Sequence, residues 1–142
     1  MEIREIRSSD LVGVGEIASL SFDDYSSQDY EKMSVDPNYK FWICEENGIV
    51  AGYLIFLHID TKLEIIKIAT SPNFRRRGIA EELLRRLFEF GRANGYEGVI
   101  LEVNDKNLPA IGLYRKAGFE QIHVRKRYYN NLDDAIIMTI EF

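Results

Sequence analysis

A chain of 142 residues that is 46% hydrophobic can bury one core and is too short for two, so a single domain over residues 1–142 is expected. Its net charge of −5 argues against nucleic acid or an anionic membrane as a partner, and the lone cysteine, Cys44, excludes an intrachain disulfide and suits the cytoplasm. The charge is uneven, with 6 basic and 13 acidic residues over 1–71 against 12 and 10 over 72–142, a split that suits a cationic acceptor in the first half and an anionic ligand in the second, or is an ordinary solvated charge pattern.

Met1-Glu2-Ile3-Arg4-Glu5 carries no signal-peptide core, and the longest apolar run, Ile49 to Leu57, is too short to span a bilayer. Glu2 to Ile6 alternates as a strand does. Ser8, Ser9 and Asp10 then offer caps for a helix with Leu11, Val14, Ile17, Ala18 and Leu20 on one side. From Ser21 to Tyr30 the periodicity is lost; this acidic, aromatic stretch reads as a substrate-facing loop or short helix, or as an ordinary surface connection. Phe41 to Glu45 and Ile49 to His58 flank Glu46-Asn47-Gly48, a hairpin signal, and Cys44 within that apolar run reads as a buried, inert thiol. Leu63 to Thr70 is a further strand.

The stretch from Ile68 to Ala80 then reads as the end of a strand, a tight basic turn and the first turn of a helix. Pro72 stops the strand, Gly78 lets the backbone approach other backbone or a ligand closely, and free amides at the helix start meet the positive end of its dipole: an anion site. Arg75, Arg76 and Arg77 surround it with charge, but adjacent side chains in a turn point different ways and cannot all grip one ligand. The spacing fits neither a P-loop nor a dinucleotide fingerprint. Ile79, Ala80, Leu83, Leu84, Leu87 and Phe88 form the apolar stripe of a helix over 78–94, with Glu81 to Arg85 and Glu82 to Arg86 as favourable pairs and Gly95 as its stop. Gly98 to Val103 is a buried strand. The resulting βαβ unit puts the basic turn at the carboxyl end of its strand, where such sheets bind ligands.

Asn104 to Asn107 supplies caps for a short helix holding Ala110, Ile111, Leu113 and Tyr114, with Pro109 near its start and Gly118 at its end. Phe119 to Tyr129 reads as a strand, Asn130 to Asp133 as a turn and Ala135 to Phe142 as a last strand. The order implies an α+β fold, a mixed sheet with helices on its faces. His58 and His123 stand alone in strand-like runs without metal spacing, so both read as structural or surface residues and no metal is expected.

Several of these pieces resemble one family in the same order. Arg75-x-x-Gly78-x-Ala80 resembles the acyl-CoA signature of the GCN5-related N-acetyltransferases (GNAT). Leu101-Glu102-Val103, Asn107 with Ala110, and Leu113-Tyr114-Arg115-Lys116-Ala117-Gly118-Phe119 resemble that superfamily's L-E-V, N-x-x-A and L-Y-x-x-x-G-F elements. Arg125-Lys126-Arg127-Tyr128-Tyr129 and Asp133 to Met138 resemble the ending of RimI-type and related protein N-terminal acetyltransferases, although Asn104 stands where RimI-type chains often have Arg and the link from Tyr129 to Asp133 is short. The resemblance implies a mixed, mostly antiparallel sheet of about seven strands with helices on both faces. It also implies acetyl-CoA as donor, held by Ile68, Ala69, Thr70, Arg75, Arg76, Arg77, Gly78, Ile79, Ala80, Asn107 and Tyr114, and an acceptor met by Phe22, Tyr25, Tyr128 and Tyr129.

The chemistry can be argued beside it. An amine attacks a thioester only when unprotonated; an α-amine near 7.7 to 8.0 is roughly a tenth free at pH 7, and a lysine near 10.4 less than about one part in a thousand. One carboxylate, direct or through a water, suffices as base for an α-amine. Glu102 is the candidate: the resemblance assigns it that role, and its side chain is either desolvated inside the apolar run 99–103 or simply reaches solvent or a salt bridge. Tyr114 is the candidate donor of a proton to the departing sulfur. We therefore expect direct transfer of acetyl from acetyl-CoA to a protein N-terminus, a ribosomal protein first, in a ternary complex, by a monomer or dimer. A small-amine, polyamine or lysine acetyltransferase, or a non-catalytic acyl-CoA-binding module, remains open.

Overall fold

Asn47 and Gly48 both take positive φ, 54° and 76°, as a two-residue hairpin turn requires. They join β2 (Lys40–Glu46) to β3 (Ile49–Ile59). The same local logic sets most other boundaries in the computed structural model, which describes residues 1–20, 25–130 and 132–142. Before the hairpin come β1 (Glu2–Glu5), α1 (Leu11–Ala18) and α2 (Ser27–Val35); after it come β4 (Lys62–Thr70), α3 (Ile79–Ala93), β5 (Gly98–Asn104), α4 (Leu108–Ala117), β6 (Glu120–Arg125) and β7 (Ala135–Glu141). Single 3-10 turns occupy Ser8–Asp10 and Pro72–Phe74. The strands form one seven-stranded sheet in the order β1-β2-β3-β4-β5-β7-β6. β4 and β5 run parallel, whereas β1/β2, β2/β3, β5/β7 and β6/β7 run antiparallel. This is the α+β, mostly antiparallel architecture expected. Among the described residues no helix is long and apolar enough to cross a membrane.

The chain divides into two compact units, Met1–Leu57 with Ile66–Leu83, and His58–Ile65 with Leu84–Phe142, so β4 and α3 each contribute to both. In the first, Val14 and Ile17 of α1, Tyr30 and Met33 of α2, Phe41 and Ile43 of β2, and Tyr53 and Ile55 of β3 form a core. Within it the Tyr30 and Tyr53 hydroxyls lie 2.9 Å apart, so each has a polar partner. The Arg4 guanidinium grips the buried Asp10 carboxylate through two bonds of 2.7 and 2.9 Å, and Asp10 also accepts the Arg7 amide at 2.7 Å.

The second unit shows the alternation that a half-covered sheet demands. Val99, Leu101 and Val103 are buried, whereas Ile100, Glu102 and Asn104 are half-exposed on the opposite face. Leu63 and Ile65 are buried on β4, and a Cβ on Gly91 of α3 would meet Leu63 at 3.3 Å, which places that helix on the Leu63 face. Phe88 closes this side with its ring 5.9 Å from those of both Phe119 and Phe142.

Of the stretch 21–30, residues 21–24 lie outside the described residues, and the remainder opens a helix, α2, the helical one of the alternatives, started by a reciprocal cap between Ser26 and Asp29. Two readings change. Leu20 lies beyond α1 and is 67% exposed, because the chain leaves the helix at Ser19. β6 ends at Arg125 rather than Tyr129: Arg127 takes φ 52° and gives its amide to the Asp134 carboxylate at 2.9 Å instead of to a ladder.

Candidate functional site

In the first unit the basic turn is fixed from below. The Ser71 amide donates to the Ala51 carbonyl at 2.8 Å, and a Cβ on neighbouring Gly52 would lie 2.7 Å from Ile79 Cγ2 and 2.8 Å from the Ala69 oxygen. Only glycine lets β3 pass so close to both the end of β4 and the start of α3. Pro72–Phe74 then makes its short turn, with Phe74 buried and its amide bonded to the Ser71 carbonyl at 2.9 Å. Arg76 and Gly78 both take positive φ, 66° and 72°.

A Cβ on Gly78 would find nothing nearer than Glu81 Oε2 at 4.0 Å. The expected close backbone approach is thus not to another part of the protein; open space lies above this glycine, and its φ is what calls for it. The Glu82 amide bonds the Gly78 carbonyl at 3.0 Å, and the amides before it at the start of α3 have no intrahelical acceptor. Free amides, a helix dipole and open space above a glycine fit a phosphate group. The arginines divide as their adjacency requires. Arg77 lies 5.5 Å over the Phe74 ring and 3.9 Å from a Glu46 carboxylate oxygen, whereas Arg75 and Arg76 are exposed and form no ion pair among the described residues. Ile79 is buried, and Ile68, Ala69, Thr70 and Ala80 are half-buried.

In the second unit Glu102 pairs in register with Ile137 of β7, and Ile137 in turn with His123 of β6. Two residues along that row Arg125 stands opposite Ala135, and its guanidinium reaches across β7 to Glu102, 3.0 Å from Oε1. Glu64 of β4 pairs with Ile100, so it lies on the Glu102 face one diagonal step away. Burial first, and the Glu102 charge second, push the Glu64 carboxyl above its ordinary range, with Arg125 opposing them. The side chain of Glu102 is 29% exposed and ion-paired, not desolvated in an apolar strand as the run 99–103 suggested. Sequence reading missed both Glu64 and Arg125 as its neighbours. The available signal was their shared strand parity with Glu102, which is useful only once the register is known.

The loop after β6 is braced against the end of β5. Asn104 Nδ2 donates to Asp133 at 3.2 Å, and the Asp105 amide donates to the Asp134 carbonyl at 3.0 Å. The Arg127 amide holds the Asp134 carboxyl below its usual range, with Lys126 adding to it. This loop presents Tyr128, 52% exposed, with the Arg125 guanidinium 5.3 Å over its ring, and Tyr129 edge-on at 5.4 Å.

Asn107 caps α4, its Oδ1 accepting the Ala110 amide at 3.3 Å. Tyr114 of α4 is 6% exposed with its ring 5.5 Å from Phe119, and among the described residues its hydroxyl forms no hydrogen bond. Burial alone holds that phenol well above its usual range, so it keeps its proton at neutral pH. In the first unit Tyr25 is exposed with its ring 6.0 Å from Tyr30, while Phe22 lies outside the described residues. Cys44 is fully buried, and burial pushes its thiol up. His58 and His123 are both exposed.

Residues 2–119 match the sequence profile of the Acetyltransferase (GNAT) family. The chain is similar to a candidate ribosomal protein bS18-alanine N-acetyltransferase of Bacillus subtilis (strain 168), at 32% identity over 141 residues, covering 97% of this chain and 93% of that one. It is similar at 33% identity over 98 residues to the ribosomal protein bS18-alanine N-acetyltransferase of Escherichia coli (strain K12), covering 67% of this chain and 66% of that one. Its structure resembles the crystal structure of the ribosomal-protein-S18-alanine N-acetyltransferase from Escherichia coli with a TM-score of 0.88, at 26% identity, over 99% of this chain and 92% of that chain.

Proposed function

The chain belongs to the acetyltransferase (GNAT) family, and from that premise we propose that it acetylates the α-amine of a protein N-terminus, with the alanine of ribosomal protein bS18 as the first candidate. It is an acyltransferase, and acetyl-CoA supplies both the acetyl group and the thiol that leaves. The observation that carries the acceptor reading is the Glu102 face: a half-exposed carboxylate beside a loop with Tyr128 exposed and Tyr129 half-buried. A carboxylate next to aromatic side chains suits an ammonium group, which an extended peptide delivers at its end.

In this reading residues 1–142 act as one domain. The amides of 76–80 and the Arg75 and Arg76 side chains would take the pyrophosphate, the end of β4 at Ile68, Ala69 and Thr70 would lie along the pantetheine arm, and Asn107 would add a polar contact. Glu102 takes the proton of the incoming ammonium, directly or through a water. The Tyr114 hydroxyl, on a side chain 6% exposed and without another partner among the described residues, gives a proton to the departing sulfur. Tyr25, Tyr128, Tyr129 and Phe22 would meet the peptide.

Mass spectrometry of three acceptors with acetyl-CoA tests this: a peptide beginning with the bS18 N-terminal alanine, the same peptide with a blocked α-amine and a free lysine, and spermidine. The first should be acetylated and the others should be poor acceptors, because lysine and polyamine amines are scarcely unprotonated at neutral pH. Rapid acetylation of spermidine or of the lysine, with the free N-terminus ignored, would return the acidic first half of the chain to a polyamine or lysine role. Glu102→Gln should lower turnover roughly 10²- to 10⁴-fold.

A further inference from the structure

We propose that Arg125 is a positioning residue for Glu102: its guanidinium holds that carboxylate as the proton acceptor in preference to Glu64 and ties it to the loop that carries Tyr128. The proposal rests on the reading of Glu102 as base and adds the device that selects it. Three observations meet here. Glu64 and Glu102 share one face of neighbouring parallel strands, in the register Glu64 to Ile100, so two carboxylates stand where one base is needed. Among the described residues a guanidinium contacts Glu102 alone of the two, at 3.0 Å. The same guanidinium lies 5.3 Å over the Tyr128 ring, so one side chain spans the base and an aromatic residue of the acceptor loop.

Like charges on adjacent strands disfavour joint ionisation, and a cation beside one of them decides which carboxylate keeps its charge. Burial first, and the Glu102 charge second, raise Glu64 toward its neutral form, and Arg125, in contact with Glu102 instead, opposes them only in part. The charged and titratable groups facing Glu102 are few. β4 contributes Glu64, with Lys62 turned to Glu141; β6 contributes His123 and Arg125; β7 contributes none at Ala135, Ile137 or Thr139; and the loop holds Asp133 against Asn104. Among these, Arg125 alone is a cation in contact with the carboxylate.

The test is the pH profile of kcat at saturating peptide and acetyl-CoA, where the titration of free amine in solution drops out. Arg125→Gln should lower kcat roughly tenfold or more and move the acid limb upward by about one pH unit, since two unbalanced carboxylates then compete for a proton. Adding Glu64→Gln should bring the limb back down, and Arg125→Lys, which keeps the charge, should restore it. Arg125 is half-exposed on an edge strand, so these variants keep the core, which thermal melts will verify. A limb in Arg125→Gln that superimposes on that of the unaltered enzyme, or one in Arg125→Lys as displaced as in Arg125→Gln, overturns the proposal. Glu102→Gln separates the two levels: if it is fully active the base reading itself falls, whereas if it is inactive while Arg125→Gln leaves the limb unmoved, only the role of Arg125 falls.

Discussion

Gly52 and Ile79 touch through the absence of a side chain: a Cβ on the glycine would stand 2.7 Å from Ile79 Cγ2. The Ile79 methyl could rotate away, but the Ala69 carbonyl, 2.8 Å from the same Cβ, is backbone and could not. Gly52→Ala should therefore shift the end of β4, cost about 1–3 kcal/mol in chemical denaturation and weaken acetyl-CoA binding by calorimetry. Gly15→Ala in α1, where a Cβ meets nothing within 4 Å, is the control and should stabilise by about 0.5–1 kcal/mol. Equal stability of the two variants would mean that β3 does not hold the turn.

Gly78 makes a different demand, because φ 72° asks for glycine while the space above it is open. Gly78→Ala should cost about 1–2 kcal/mol of backbone strain and little else. Gly78→Glu adds bulk and negative charge over the helix amides, so calorimetry should show acetyl-CoA binding abolished in a protein that still melts cooperatively. Normal binding by that variant would remove the turn as the phosphate site.

Tyr114→Phe removes only the hydroxyl, which has no partner among the described residues, and keeps the ring against Phe119. If Tyr114 has its proposed role, turnover should fall much more than acetyl-CoA affinity, because only the departing sulfur then loses a donor. Its alkaline behaviour gives a second readout. Burial raises the folded pKa, so the contribution of the neutral phenol to stability is complete below the ordinary tyrosine value of about 10 and is lost as pH rises above it toward the folded value. Melting temperatures between pH 9 and 11 should therefore decline less steeply in Tyr114→Phe.

Asp10 has the opposite sign. Its bonds to Arg4 hold the carboxyl below its ordinary range, with the Arg7 amide adding to them. Its stabilisation is present above the ordinary carboxylate value and lost as pH falls through the folded one. Asp10→Asn should cost about 2 kcal/mol near neutrality, and the difference in melting temperature should shrink progressively as pH drops below about 4. A constant difference down to strongly acidic pH would show that the Arg4 pair contributes nothing.

Much of this architecture was legible because its signals are local. Asn47-Gly48 makes the hairpin turn, Gly95 and Gly118 take the positive φ that ends α3 and α4, Asn107 caps α4, and Ile79, Leu83, Leu84 and Leu87 of the helical stripe are buried as its period requires. Each depends on residues within about one turn of one another, and backbone sterics and hydrogen bonding decide such matters without help from the rest of the chain. The start of α2 was equally local, in the pair Ser26 and Asp29, but lay hidden in an acidic, aromatic stretch whose side chains have no helical period.

The sequence by itself determined the basic turn, the helix that follows it, and the residue types available for chemistry at Glu102 and Tyr114. Tertiary structure decided what surrounds them. Glu64, Glu102 and Arg125 stand far apart in the chain and become neighbours only through a parallel pairing with β4 and an antiparallel path through β7 to β6. Sliding any of these strands by one residue would turn its side chains to the opposite face, so no pattern within a single strand encodes the encounter. The charge environment of Glu102 was for that reason misread from its apolar neighbours in sequence: along a strand those neighbours point away from it, and the groups that set its electrostatics come from other strands.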